Sequence, residues 1–187
     1  QIVAKEVGAK LRFIPFKNDG TIDFPVFEQL LSGRTRLIAL THMSNVFGTI
    51  NPIKRIISMA HDRGVPVLLD AAQSVAHLPV DVEFLDCDFL AFSGHKMLGP
   101  TGIGVLYAKS QILENMNPYQ GGGDMISSVW LEDATWNEIP YKFEAGTPNI
   151  AGAIGLAAAV EYLEKIGMIN LALYEQDLTT YALEKLQ

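Results

Sequence analysis

The sequence contains a single cysteine, Cys87, among 187 residues. That excludes an intramolecular disulfide and any multi-cysteine metal or iron–sulfur site built from this chain alone. Positive charge is also scarce. Lys and Arg number 14 against 21 Asp and Glu, a formal net charge of −7, which argues against a nucleic-acid scaffold or a binder of anionic membranes. No apolar run approaches the ~18 residues of a transmembrane helix. No basic-then-apolar signal segment opens the chain, and a reducing, cytoplasmic interior is the expected compartment. The histidines number 4. They are scattered, without carboxylates at ligand spacing, so no metal site is expected. Internal repeats, low-complexity tracts and linkers are absent, so residues 1–187 are expected to be one domain. Gln1 at the start and YALEKLQ at the end read as interrupted helices, the pattern of a piece of a larger protein.

What is present is 49% hydrophobic and 19% charged sequence, the composition of a folded globular chain. Apolar runs alternate with amphipathic ones. Leu11–Ile14, Arg36–Thr41, Val65–Leu69, Cys87–Phe92 and Ile103–Ala108 read as strands. Phe24–Leu31 reads as a helix. Asn51-Pro52 opens another, with Asn51 as N-cap and Ile53, Ile56, Ile57 and Ala60 on one face. Asn149 caps a helix over Ile150–Ile166, rich in Ala and Gly, and an amphipathic helix follows Gly167. Leu113–Phe143 is irregular, and a loop that long is usually functional. Strands that are apolar throughout and alternate with helices predict an α/β fold: a mostly parallel sheet flanked by helices, with both faces buried.

In such sheets ligands bind outside the carboxyl ends of the strands. Three strands here end in polar groups: Thr41-His42-Met43-Ser44-Asn45, Asp70-Ala71-Ala72-Gln73-Ser74 and Ser93-Gly94-His95-Lys96. If the strands are parallel, all three groups share one edge. A lysine flanked by glycine can form a Schiff base with a carbonyl carbon. A carboxylate facing a pyridinium nitrogen keeps that ring an electron sink, and Lys with Asp is the pair that pyridoxal 5′-phosphate (PLP) enzymes use. Ser93 and His95 suit a phosphate, Gln73 a ring hydroxyl, and Asn45 a substrate carboxylate or ring oxygen.

Five segments carry a resemblance to a known family. FSGHKMLGPTGIGVLY (Phe92–Tyr107) resembles the lysine motif of class V, fold-type I PLP enzymes, and LLDAAQS (Leu68–Ser74) their aspartate motif. THMSNVFGTINP (Thr41–Pro52), GGGDMI (Gly121–Ile126) and FEAGTPN (Phe143–Asn149) are similar to the Suf-type, group II branch of cysteine desulfurases. The resemblance implies that the chain is the central part of the PLP-binding large domain. It makes Lys96 the catalytic residue and the attachment point of PLP. Asp70 would face the pyridinium nitrogen, Gln73 the ring hydroxyl, Ser93 and His95 the phosphate, and Asn45 the substrate carboxylate. Gly121 and Thr147 would reach the phosphate of a neighbouring subunit, making a homodimer with shared sites. The implied activity converts L-cysteine to L-alanine and passes persulfide sulfur to an acceptor protein of iron–sulfur cluster assembly. No residue here matches the family's phosphate-cup segment, ring-stacking histidine, persulfide cysteine or substrate-binding arginine. A selenocysteine lyase, a kynureninase-like or aminotransferase activity, or a catalytically incomplete scaffold are the alternatives.

Plainer readings stand beside these. Asp70 could cap the turn after its strand, and Gln73 could cap a helix. His42 is open between a cofactor neighbour and a hydrogen-bonded structural residue, while His61 and His77 read as surface or turn residues. Cys87, at the start of a buried strand, reads as a small core residue rather than a nucleophile. GPTGIG lacks the Lys-Ser/Thr of a P-loop and precedes a strand, so its glycines serve a sharp turn beside the lysine.

Overall fold

The computed structural model describes residues 1–186. Ile2–Glu6 (α1) is followed by an irregular stretch and by Phe24–Leu30 (α2), which Asp23 caps by accepting the Val26 N–H. Then come Ile38–Thr41 (β1), Ile53–His61 (α3), Val67–Asp70 (β2), the one-turn helices Ser74–His77 (α4) and Val82–Leu85 (α5), and Phe89–Ser93 (β3). A 3₁₀ turn over Gly94–Met97 leads to Gly104–Ala108 (β4) and Ser110–Asn115 (α6). Ile126–Val129 (β5) and Ala134–Trp136 (β6) form a separate antiparallel hairpin inside the stretch the sequence leaves irregular. Ile150–Ile166 (α7) and Met168–Leu186 (α8) close the chain. Asn149 caps α7 as expected, its Oδ1 accepting the Gly152 N–H at 2.9 Å.

The main sheet has the order β1-β2-β3-β4. β1, β2 and β3 run parallel, with Thr41 opposite Asp70 and Asp70 opposite Ala91, whereas β4 is antiparallel to β3. This is the expected mostly parallel α/β architecture. On one face Ile38, Val67, Leu69 and Leu90 meet the apolar stripe Ile53, Ile56, Ile57 and Ala60 of α3, together with Phe27 and Leu31. Every residue of that predicted stripe is buried.

Three expectations need correction. Leu11–Ile14 is not a strand: no neighbour pairs with it, and the nearest ladder contact is one isolated bridge between Phe16 and Ile22. Asn51 does not cap α3. Its side-chain amide instead donates to the Thr41 carbonyl at 2.8 Å and its backbone N–H to the His42 carbonyl, so it ties the end of β1, and Pro52 stands at the cap position. The sheet is not covered on both faces. Side chains alternate along a strand, and on the face opposite the core Ala39, Asp70 and Leu106 are exposed.

At the amino ends of the parallel strands lies a charged cluster. Asp88 is buried just before β3; its Oδ2 accepts the Val67 N–H at 2.7 Å and faces His61 Nε2 at 2.8 Å. His61 Nδ1 faces Asp86 at 3.3 Å, and Lys109 Nζ reaches both Asp86 and Asp88. His61 is therefore not the free surface residue the sequence suggests. Burial works against ionisation of Asp88, yet hydrogen bonds from His61, the Val67 N–H and Lys109 together hold its carboxyl below the ordinary value. A depressed carboxylate adds stability above its unfolded pKa, near ~3.9, and loses it as pH falls through the folded value. Asp88→Asn should thus lower stability at neutral pH by about 1–3 kcal/mol. Urea unfolding as a function of pH should also show a shallower loss of stability below about pH 4 in the variant than in the parent.

Candidate active site

Parallel pairing of β1, β2 and β3 puts the three polar strand ends on one edge of the sheet. Asp70 ends β2 and Ser93 ends β3. Asp70 is registered with Ala91, and Ser93 follows two residues on, so both project on the same face, ~5 Å apart laterally and ~7 Å along the strand direction. The small Ala91 beside Asp70 leaves that face open. Directly beyond Ser93 the 3₁₀ turn presents His95 and Lys96, both exposed.

Asp70 does not pair with Lys96. It is exposed, and its Oδ1 accepts the Ala72 N–H at 2.9 Å. The turn-cap reading therefore holds: one carboxylate oxygen accepts from the turn, and the other has no hydrogen-bond partner among the described residues. Gln73 occupies the N-cap position of α4 without using its side chain as a cap, and its amide makes no hydrogen bond among the described residues. Among the described residues Lys96 takes part in no ion pair. Asn45 is exposed on a tight loop braced by Ser44, whose hydroxyl accepts the Val46 and Phe47 N–H groups and whose N–H donates to the Thr49 carbonyl.

The lysine turn is held by close backbone approach. A Cβ on Gly104 would lie 2.6 Å from the Phe92 carbonyl oxygen, and one on Gly99 2.9 Å from the Gly94 carbonyl oxygen. Of the three glycines in GPTGIG only Gly102, at φ +77°, acts by its turn conformation; the other two act by lacking a side chain. Asn149 Nδ2 donates to the Gly102 carbonyl, joining the start of α7 to this loop. The Gly121 and Thr147 segments also meet, through the Gly146 N–H donating to the Gly123 carbonyl. Both residues are exposed, and no hydrogen bond or ion pair among the described residues joins either to Lys96 or Asp70.

His42 continues the core-facing alternation of β1 and is buried, with Nδ1 lacking a hydrogen-bond partner among the described residues. It is not the hydrogen-bonded structural histidine, and it faces away from Asp70. Burial lowers its pKa and favours the neutral ring. Cys87 is fully buried, and burial pushes its thiol up, away from a reactive thiolate. His77, expected at the surface without a carboxylate, faces Glu175 at 2.9 Å. Its partner is 98 residues away in sequence, so no local spacing signals the pair.

The aminotransferase class-V profile matches residues 1–187. The chain belongs to the aminotransferase class-V family. A cysteine desulfurase of Shigella sonnei is 53% identical over the whole chain. The crystal structure of the Escherichia coli cysteine desulfurase CsdA superposes with a TM-score of 0.94 at 44% identity, over 99% of this chain and 46% of that one. The cysteine desulfurase of Thermococcus onnurineus NA1 superposes with a TM-score of 0.93 at 41% identity, over 99% and 46% respectively. The class-V chain spans about half the length, 46%, of the curated relatives it matches. Among its structural relatives is a C-DES variant with glycine covalently linked to its PLP cofactor, at 31% identity and a TM-score of 0.78 over 89% of this chain and 45% of that one.

The close glycine contacts give a direct test of how the lysine turn is held. Gly104→Ala should lower stability by about 1–3 kcal/mol through overpacking against Phe92. Thermal denaturation should show the loss, and backbone NMR shifts should change around Ser93–Lys96 rather than around α3.

Proposed function

We propose that this class-V chain carries the PLP-binding core of a group II, Suf-type cysteine desulfurase. The observation that supports it best is the set of uncommitted polar groups on one sheet edge: a lysine without a counter-ion, a carboxylate with one oxygen anchored and one open, and a cap-position glutamine with a free amide. These donors fit PLP in kind: an amine for the carbonyl carbon, an acceptor for the protonated ring nitrogen, and hydroxyl, imidazole and amide groups for the phosphate and ring oxygen. The names of the relatives narrow the reaction to cysteine desulfuration. The resemblance of the Thr41–Pro52, Gly121–Ile126 and Phe143–Asn149 motifs supports the group II reading.

When bound, PLP supplies the electron sink that makes the Cα–H bond of an amino acid acidic. Lys96 Nζ is the attachment point and afterwards the base that moves the Cα proton. Asp70 keeps the ring nitrogen protonated. Its anchored oxygen would hold the side chain in one orientation toward the ring nitrogen. Ser93 and His95 hold the phosphate, Gln73 orients the ring through its hydroxyl, and Asn45 orients the substrate carboxylate. Gly121 and Thr147, exposed and without a hydrogen bond to Lys96 or Asp70 among the described residues, serve the site of a second copy in a homodimer. The substrate is L-cysteine, the products are L-alanine and a persulfide passed to an acceptor protein of iron–sulfur assembly, and the compartment is the cytoplasm.

Borohydride reduction after PLP addition, followed by peptide mass mapping, tests the reading. One pyridoxyl group per chain on Lys96, absent from Lys96→Ala, is the expected result. Alanine release from cysteine by the complete protein should fall at least about 100-fold in Lys96→Ala, the scale of a lost proton-transfer group. Pyridoxyl spread over surface lysines, or none, would remove the PLP site. Intact labelling with no alanine formed from cysteine would move the activity to another class-V reaction.

A further inference from the structure

We propose that His77 and Glu175 are positioning residues for the cofactor, acting through the α4 turn that carries Gln73. The proposal rests on the PLP reading above. His77 Nδ1 lies 2.9 Å from both Oε1 and Oε2 of Glu175, midway along α8. A carboxylate only accepts, so Nδ1 carries the proton and donates to it. The two residues are partly shielded, with side chains 36% and 37% exposed.

α4 has four residues, Ser74–His77. A single helical turn has no stability of its own, so its orientation is set by what it is tied to. At one end it is continuous with the site. Asp70 Oδ1 holds the Ala72 N–H, Gln73 stands at the cap, and the buried Ser74 hydroxyl donates to the Ala71 carbonyl. At the other end apolar packing is incomplete. Val75 and Leu78 line a cavity of about 290 Å³ whose other walls include Leu90, Phe92, Leu163 and Met168. The cavity leaves that side of the turn with fewer packing contacts, and the polar tie adds a directional restraint there. The tie starts one helical turn from Gln73, so a tilt of α4 moves the Gln73 amide and the Asp70–Ala72 turn together.

The test uses His77→Ala, Glu175→Leu, the double variant and the conservative Glu175→Gln in the complete protein. The readouts are the absorption maximum of bound PLP, PLP retention on dilution, and amide exchange at Val75 and Leu78 in the cofactor-free protein. The two single variants should each shift the absorption maximum, weaken PLP retention by about three- to fivefold, the range of a half-exposed pair, and speed exchange at both amides. The double variant should be no worse than either single one, the mark of direct coupling. Glu175→Gln keeps an acceptor for Nδ1–H and should restore the absorption maximum. If the variants lower Tm but leave the spectrum, retention and exchange as in the parent, the pair is only a brace for α8 and the proposal is overturned. If the parent protein takes up no PLP on Lys96, the cofactor reading itself fails and the positioning role falls with it. That outcome is recognised in the parent, before any variant is compared.

Discussion

The candidate site depends on the in-register parallel pairing of β1, β2 and β3. Side chains alternate with a period of two, so a slip of one residue between β2 and β3 would turn Asp70 to the opposite face from Ser93. The observed register, Asp70 against Ala91, keeps both on the open face and places a residue without bulk between them. Everything the edge can bind follows from that. Lys96 and His95 are brought there by the turn that continues β3, and Gln73 by the turn that continues β2.

The two ends of the sheet treat polar groups in opposite ways. At the amino ends Asp88, His61, Asp86 and Lys109 satisfy one another and the Val67 N–H, which locks the starts of β2 and β3 to the end of the antiparallel β4. At the carboxyl ends the polar groups are left with valences to spare. A saturated cluster contributes to stability, whereas an unsaturated one beside an open face has the groups that the proposed cofactor site would use. The difference is one of partners rather than residue type, since each end has a histidine, a lysine and an aspartate.

Fold class, the α3 stripe, the α7 cap and the three polar strand ends were legible because each rests on a short-range pattern: continuous apolar runs, a 3.6-residue spacing, and Asn before a helix. The failures were of another kind. Asn51 has the chemistry of a cap, but its amide found the Thr41 carbonyl, which is 10 residues back in sequence. His61 and His77 looked free because their carboxylates are 27 and 98 residues away. The β5–β6 hairpin was missed because its strands are short and mostly exposed, without an apolar run to mark them.

The sequence by itself determined which chemical groups exist and which local elements carry them, because helix and strand periodicity and strand-end composition are properties of neighbours along the chain. Only the tertiary structure decided which polar groups stay free. That outcome depends on whether a distant partner arrives within hydrogen-bond reach. Among the described residues Asp70 keeps one oxygen open and Lys96 has no counter-ion, while Asp88 and Lys109 are fully engaged. That difference is set by the packing of strands and helices far apart in the chain.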